Sequence, residues 1–397
     1  MLHSLRFNQV VNLIYLIYHV KHVRETHFSS KIKFVLMKAA RLVEFQKPLK
    51  IEELDVPKVE KGDVLLKVIS CGICRSDWHL WRGDPALVAY MQWSGGKLPI
   101  TQGHEVYGEV VEVGENVAKL KKGDKVVMPA SSTGDNRTCK YCMEGDSNVC
   151  DHLVIAGYGI NGCFAEYMLV PERSVIDLVK VPDGIKPEWA ALSSCGFGTS
   201  WNAFTMKTNL KPGDMVVTIG AGGMGLSGIA IANALGAKVI AVDVNERSLE
   251  KAKMLGSIET YKYSGKSEEL NNIVEDIMKK YGSVDIVYDT TGIPDAVIPF
   301  LPLIRVHGTL LLAGLMMKGK ETFPLPADLV VAREIKIQGV LMLPAQKFDA
   351  IFKLMKEGKI NLDPVTYKII SIYDVNDAYR EMSDYKNAGR IIINKFS

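Results

Sequence analysis

Two groups of side chains in this sequence have the types and spacing for chemistry. The first is sulfur: seven cysteines stand as Cys71 and Cys74, then Cys139, Cys142 and Cys150, then Cys163 and Cys195. An odd count in closely spaced sets reads as metal binding before it reads as a disulfide framework. The second is Gly220-Ala221-Gly222-Gly223-Met224-Gly225, which follows the apolar run Met215 to Ile219 and opens a helical pattern. In such a loop the first glycine permits a tight turn, the second lets the backbone approach a pyrophosphate, and the third allows close packing of helix on strand, while the helix N-terminus offers free N–H groups. Asp243 ends the next apolar run, 18 residues after Gly225, where a carboxylate accepts hydrogen bonds from ribose hydroxyls. It also repels a 2′-phosphate, so NAD is expected over NADP, with Arg247 as the one nearby cation that could swing toward a phosphate.

These groups need elements to hold them. From Met37 to about Val179 the chain runs in short alternating stretches, such as Asp63 to Val68, Gly108 to Val113 and Asp124 to Met128, broken by Gly, Pro and Asp. That pattern predicts a β-rich, barrel-like domain. From about Pro182 strands alternate with helices: Met215 to Ile219 with Gly225 to Leu235, Lys238 to Val242 with Glu246 to Leu255, then Val284 to Tyr288. Alternation of this kind predicts an α/β unit built on a parallel sheet with right-handed crossovers. After Pro344 a helix, Lys347 to Glu357, precedes the strands Tyr367 to Ile370 and Arg390 to Asn394, which are expected to complete the first domain.

Gly72-Ile73-Cys74-Arg75-Ser76-Asp77-Trp78-His79, Gly103-His104-Glu105 and Cys195-Gly196-Phe197-Gly198-Thr199, together with the Gly220 to Gly225 loop, resemble the zinc-dependent alcohol dehydrogenases of the medium-chain dehydrogenase/reductase family. The resemblance runs from Met37 to the C-terminus. It implies a GroES-like β-rich catalytic domain over residues 37–181 and 344–397, and a Rossmann, doubly wound NAD-binding domain over 182–343. It further implies a catalytic zinc on Cys74, His104 and Cys195 with Glu105 beside it, a set that suits three N/S ligands and one open position. Asp77 would orient the His104 imidazole. Ser76, then the cofactor ribose, then His79 as an imidazole at the surface, would relay the alcohol proton. Arg75, and less directly Arg390, would meet the cofactor pyrophosphate, and Thr199 would face the nicotinamide. Cys71 is expected to be buried and inert, and Cys163 has no evident partner.

Cys139, Cys142 and Cys150 resemble the family's structural-zinc lobe, which normally has a fourth cysteine where this chain has Asn136. Neutral Asn is a poor zinc ligand, so either Asp135 completes the site after a one-residue shift or the site is empty, with a Cys139–Cys150 disulfide as the further alternative. Between His79 and Gly103 the sequence predicts a loop of 23 residues carrying Trp81, Tyr90, Met91 and Trp93, just after Trp78. These aromatics would either wall an apolar substrate pocket or pack against the barrel or a second subunit. His152 and His307 are expected to be bystanders.

Charge has a position too. The chain has 397 residues and a formal charge of +3, but residues 1–36 carry +4 and the rest −1. That arrangement gives no basic folded surface for nucleic acid or an acidic membrane. Residues 1–36 are expected to be a weakly ordered arm or a start set too far upstream. Val10 to Tyr18 is too short for a membrane span, and Lys21-His22-Val23-Arg24 follows it in place of a signal-cleavage site. The expectation is a cytoplasmic enzyme that interconverts small alcohols and carbonyls with zinc and NAD(H), as a homodimer or homotetramer. Its alternatives are an NADP-linked semialdehyde reductase, a reductase of CoA-linked hydroxy or enoyl substrates, and a non-enzymatic cofactor-binding member.

Overall fold

Six parallel strands form one sheet in the order Ser257–Lys262, Lys238–Asp243, Met215–Ile219, Val284–Asp289, Ile304–Leu312, Lys336–Gly339. The computed structural model describes residues 36–315 and 322–396, so the arm expected over 1–36 lies, but for Leu36, outside the described residues. Val216, Val217, Ile219, Val239, Ile240 and Val242 are buried, as strands covered on both faces require. Strand order reverses between Met215–Ile219 and Val284–Asp289, so the loops leaving Ile219 and Asp289 part to opposite faces and open a crevice between them. Gly220 and Thr290 begin those two loops. The edge strand Ser257–Lys262 and the helix Ser267–Tyr281 were not singled out by the sequence pattern, because the strand is polar and only partly buried.

The second sheet runs Val179–Lys180, Lys125–Met128, Glu105–Val113, Val64–Ile73, Arg390–Lys395, Thr366–Ser371, with Tyr167–Val170 also on Val64–Ile73. It is antiparallel except where the two C-terminal strands pair with each other. Its register matters for chemistry: Gly72 lies opposite Glu105 on one side, and Ile73 opposite Ile391 on the other. Cys74 follows Ile73 directly, so a thiol, an imidazole, a carboxylate and a guanidinium arrive at one end of this sheet.

Two expectations are overturned. The stretch after His79 is not a loop: helix Arg75–Trp81 is followed by helix Pro85–Trp93, with proline at the start of the second, where its missing N–H is no loss. Cys71 and Cys163 are neither inert nor partnerless, because they form a disulfide closing 92 residues of chain. Cys163 N–H also donates to the Gly103 carbonyl at 3.0 Å, so the bridge ties the strand that leads to Cys74 to the segment that leads to His104. Both sulfurs are fully buried in the core of the second sheet. Cys163→Ser is expected to lower stability by about 2–5 kcal/mol, the usual cost of losing a native disulfide. Thermal unfolding compared with and without reductant, beside intact mass under both conditions, checks this.

Candidate active site

Cys74 follows the long strand Val64–Ile73 and caps the helix Arg75–Trp81. Its N–H donates to Asp77 at 2.9 Å, and the other oxygen of that carboxylate accepts the Nδ1 proton of His104 at 2.8 Å. Asp77 thus fixes one residue's backbone and another's ring, and leaves His104 Nε2 free to turn toward the Cys74 and Cys195 sulfurs. Cys195 comes from a different segment, held by Ala130 N–H donating to the Ser194 carbonyl at 2.9 Å and by Gly196 N–H donating to Glu105 at 3.4 Å. One ligand atom from each of Cys74, His104, Glu105 and Cys195 lies within 4.8 Å of the others.

The electrostatics of this cluster suit a cation. The Cys74 thiol is held well below the usual thiol range, first by its hydrogen bond with Cys195 and then, against burial, by Arg390 and His104. Cys195 is pushed correspondingly up. Burial works against a charged His104, but Asp77 and Cys74 outweigh it and hold the ring well above the usual imidazole range. Glu105, fully buried, is raised to about 7 by desolvation despite the Arg390 guanidinium 3.1 Å from its Oε1. Its Oε2 has no hydrogen-bond partner. Two thiols, an imidazole and a spare carboxylate oxygen are a donor set that fits zinc. Gly72 makes room for them: a Cβ there would lie 2.0 Å from Glu105 Oε2.

A cavity of about 320 Å³ joins this cluster to the crevice of the parallel sheet. Cys74, Ser76, His79, His104 and Cys195 line it, as do Arg75, Thr199, Gly220, Gly222, Gly223, Gly225, Asp243 and Arg390; Glu105 stands behind them. Asp243 accepts N–H bonds from Ala221 at 2.5 Å and Asn245 at 2.7 Å, so the acid at the end of one strand already shapes the glycine loop of the next. Thr290 Oγ1 donates to the Gly220 carbonyl at 2.9 Å, closing the loop from the other side of the crevice. At Gly225 a Cβ would sit 1.9 Å from that same carbonyl oxygen, so the close packing demands glycine. Arg247 is exposed and does not line the cavity. His79 differs from expectation: it is 6% exposed, buried rather than at the surface, and desolvation pulls its basicity down.

The second cluster gathers Asp135, Cys139, Cys142 and Cys150. A tetrahedral zinc with Zn–S bonds of about 2.3 Å separates its sulfurs by about 3.8 Å. Here Cys139 and Cys150 sulfurs are 3.7 Å apart, and Asp135 Oδ1 is 3.5 Å from Cys150 and 4.0 Å from Cys142. Cys139 and Cys150 are free thiols, which rules out a disulfide between them in this structure. Asn136 is exposed, and positive φ at Asn136 (56°) and Arg137 (64°) turns the chain so that Asp135 faces the thiols.

Two family models match the chain, one described as alcohol dehydrogenase GroES-like domain over residues 60–183 and one as zinc-binding dehydrogenase over residues 223–357. An alcohol dehydrogenase of Geobacillus stearothermophilus is 31% identical over 90% of this chain and 99% of its own length. The chain belongs to the zinc-dependent alcohol dehydrogenases of the medium-chain family. An NAD-dependent alcohol dehydrogenase of Sulfurisphaera tokodaii is 32% identical over the same shares, 90% and 99%. Among solved structures, the alcohol dehydrogenase of Thermus sp. ATN1 superposes with a TM-score of 0.77 at 26% identity, covering 90% of this chain and 99% of that one.

Within that family frame the aromatic stretch divides. Trp78 Nε1 donates to Ser383 at 2.8 Å and Trp81 Nε1 to the Lys47 carbonyl at 2.6 Å, so both pack into the catalytic unit, as does Met91. Trp93 is 54% exposed. Only Tyr90 of the expected wall lines the cavity, joined by Leu87, Leu153, Ile155, Tyr158 and Met342, which lack any local motif and were missed. Asp84 was missed too, although an acid just before Pro85 is a legible helix-start signal. The buried Glu105–Arg390 pair gives a direct test. Arg390→Met removes the guanidinium that favours ionised Glu105, so the carboxyl should stay protonated to higher pH and the stability loss should grow as pH rises above neutrality, read by chemical denaturation of the metal-loaded protein at several pH values.

Proposed function

We propose that this protein is a zinc-dependent NAD(H) alcohol dehydrogenase converting primary or secondary alcohols to aldehydes or ketones and back. The observation that carries the reading is one cavity lined both by Cys74, His104 and Cys195 and by the Gly220 to Gly225 loop with Asp243. Zinc would be held by Cys74, His104 and Cys195, with Glu105 in reserve, and a second zinc by Asp135, Cys139, Cys142 and Cys150. Bound there, zinc would supply Lewis acidity at the substrate oxygen and NAD⁺ would supply the hydride acceptor.

The chain's own residues do the rest. Asp77 accepts the Nδ1 proton of His104 and so fixes the ring with Nε2 aimed at the metal cluster. The Ser76 hydroxyl, 3.4 Å from His104 Nε2 and on the cavity wall, is placed to take the substrate's O–H proton, and His79 on the same wall is placed to release it. The N-terminus of helix Gly223–Ala234, with Arg75 and Arg390, meets the pyrophosphate. Asp243 uses its remaining lone pairs for ribose hydroxyls, which favours NAD over NADP, and Thr199 borders the nicotinamide. The net reaction turns alcohol and NAD⁺ into carbonyl, NADH and one proton. Leu87, Tyr90, Leu153 and Ile155 make the substrate end apolar, which favours hydrocarbon-rich alcohols.

The two separate sheets support a division into residues 37–181 and 344–397 as the catalytic unit and 182–343 as the coenzyme unit. No described helix is long and apolar enough to cross a membrane. A cytoplasmic homodimer or homotetramer is the accompanying reading. Mixing zinc-replete protein with a panel of alcohols and either NAD or NADP tests the activity: reduced NAD is expected, and no turnover with any alcohol overturns the proposal. Native mass spectrometry is expected to count two zinc ions per chain and to lose one in Asp135→Ala. Tyr90→Ala should change the preference among alcohols at least severalfold, while Trp93→Ala, on the exposed side of its helix, should leave it unchanged.

A further inference from the structure

Helix Arg75–Trp81 and helix Pro85–Trp93 meet at a tight corner in which Gly83 takes a positive φ of 74° and Asp84 is the cap of the second helix. A capping aspartate normally turns its carboxylate onto the first free N–H groups of its own helix. Asp84 does not: its side chain makes no cap hydrogen bond. Instead its Oδ2 lies 2.5 Å from Nδ1 of His79, while its N–H donates to the His79 carbonyl at 3.1 Å. Asp84 is 3% exposed and His79 6%. A helix corner has no need to forgo its cap and bury an acid on a ring, so the arrangement serves the ring.

We infer that Asp84 is a positioning residue for proton release: by accepting the Nδ1 proton of His79 it presents the Nε2 lone pair to the cavity. This rests on the reading of His79 as the relay imidazole. In alcohol oxidation Ser76 would take the substrate proton and His79 Nε2 would hand it on to water, with NAD⁺ as the hydride acceptor. A carboxylate behind the ring fixes the accepting tautomer and stabilises the imidazolium formed in passing, without itself taking the proton. The charges facing His79 are Asp84, Arg75 and Arg82. Arg82 stands 3.5 Å from Asp84 Oδ1, leaving Oδ2 for the imidazole. Burial and the two arginines disfavour the imidazolium, and Asp84 is the group that opposes them.

The sign of the test follows. Asp84→Asn removes the opposing charge, so His79 becomes a weaker base and protonates only at lower pH. The acid limb of the kcat/KM profile for alcohol oxidation should move to lower pH, and kcat at neutral pH should fall roughly 10- to 100-fold with coenzyme KM nearly unchanged. In a His79→Gln background the same substitution should have no further effect on the profile. Zinc content and unfolding temperature report whether the variant is folded, and Asp84→Glu, which keeps the charge, should restore the wild-type limb. A profile in Asp84→Asn that coincides with wild type, or an equal loss on the His79→Gln background, overturns the role of Asp84 while leaving the dehydrogenase reading intact. Nitrogen NMR of the wild-type histidines gives a readout independent of turnover: neutral His79 protonated at Nε2 rather than Nδ1 also overturns it. Absence of turnover by the wild type strikes the dehydrogenase reading instead, and the tautomer alone then decides the geometry.

Discussion

The register of three strands governs this molecule. Val64–Ile73 lies between Glu105–Val113 and Arg390–Lys395, with Gly72 opposite Glu105 and Ile73 opposite Ile391. A slip of one residue would reverse the face of every side chain along the slipped strand. Glu105 and Arg390 would then no longer meet at 3.1 Å in a site where both are buried. The register is protected by the same chemistry it creates, because a buried acid without its guanidinium, or the reverse, is strongly unfavourable. It is also sterically singular, since any Cβ at Gly72 collides with the Glu105 carboxylate.

From that corner the two halves of the cavity are built by different means. The cluster end depends on single residues that serve two neighbours: Asp77 joins the Cys74 backbone to the His104 ring, and Glu105 joins Arg390 to the Gly196 backbone at the start of the helix Gly196–Thr205. The crevice end depends on topology, since the reversal of strand order between Met215–Ile219 and Val284–Asp289 would open a gap whatever the side chains. Specific residues then trim it. Asp243 and Thr290 hold the glycine loop from its two flanks, so the loop's shape is fixed before any ligand arrives.

How much of this was legible depended on whether the signal was local. The parallel sheet could be read because Met215 to Ile219 and Lys238 to Val242 are apolar runs followed by helices, and the glycine loop marks the first turn. The edge strand Ser257–Lys262 alternates no such residues, being half in solvent. Asp135 could be inferred because Asn136 is chemically unfit as a zinc ligand; the paired positive φ angles that bring Asp135 inward leave no pattern in composition. Reading residues 80 to 102 as a loop gave too much weight to their glycines and too little to Asp84-Pro85. The buried state of His79 was illegible, since a histidine on a short helix carries no mark of what the next helix will lay across it.

The Cys71–Cys163 bridge was illegible for a sharper reason: its halves are 92 residues apart and neither belongs to a motif. Its position nevertheless fits the logic of the site. Gly162, Cys163 and Phe164 donate N–H bonds to the carbonyls of Thr101, Gly103 and Gln102, so this segment is the cradle of the turn that delivers His104. The bridge anchors that cradle to the strand that delivers Cys74. Cys74 and His104 are therefore joined twice, through the Asp77 carboxylate, which holds the Cys74 N–H and the His104 ring, and through the Cys71–Cys163 bridge between the segments that carry them. A metal ligand set works only if its members are held near their bonding distances before the ion binds, because each unfixed ligand subtracts its ordering entropy from the binding free energy. Cys195 has no covalent tie of this kind, and its segment leans instead on the Ala130 and Glu105 hydrogen bonds, so it is the ligand with the most freedom in the set.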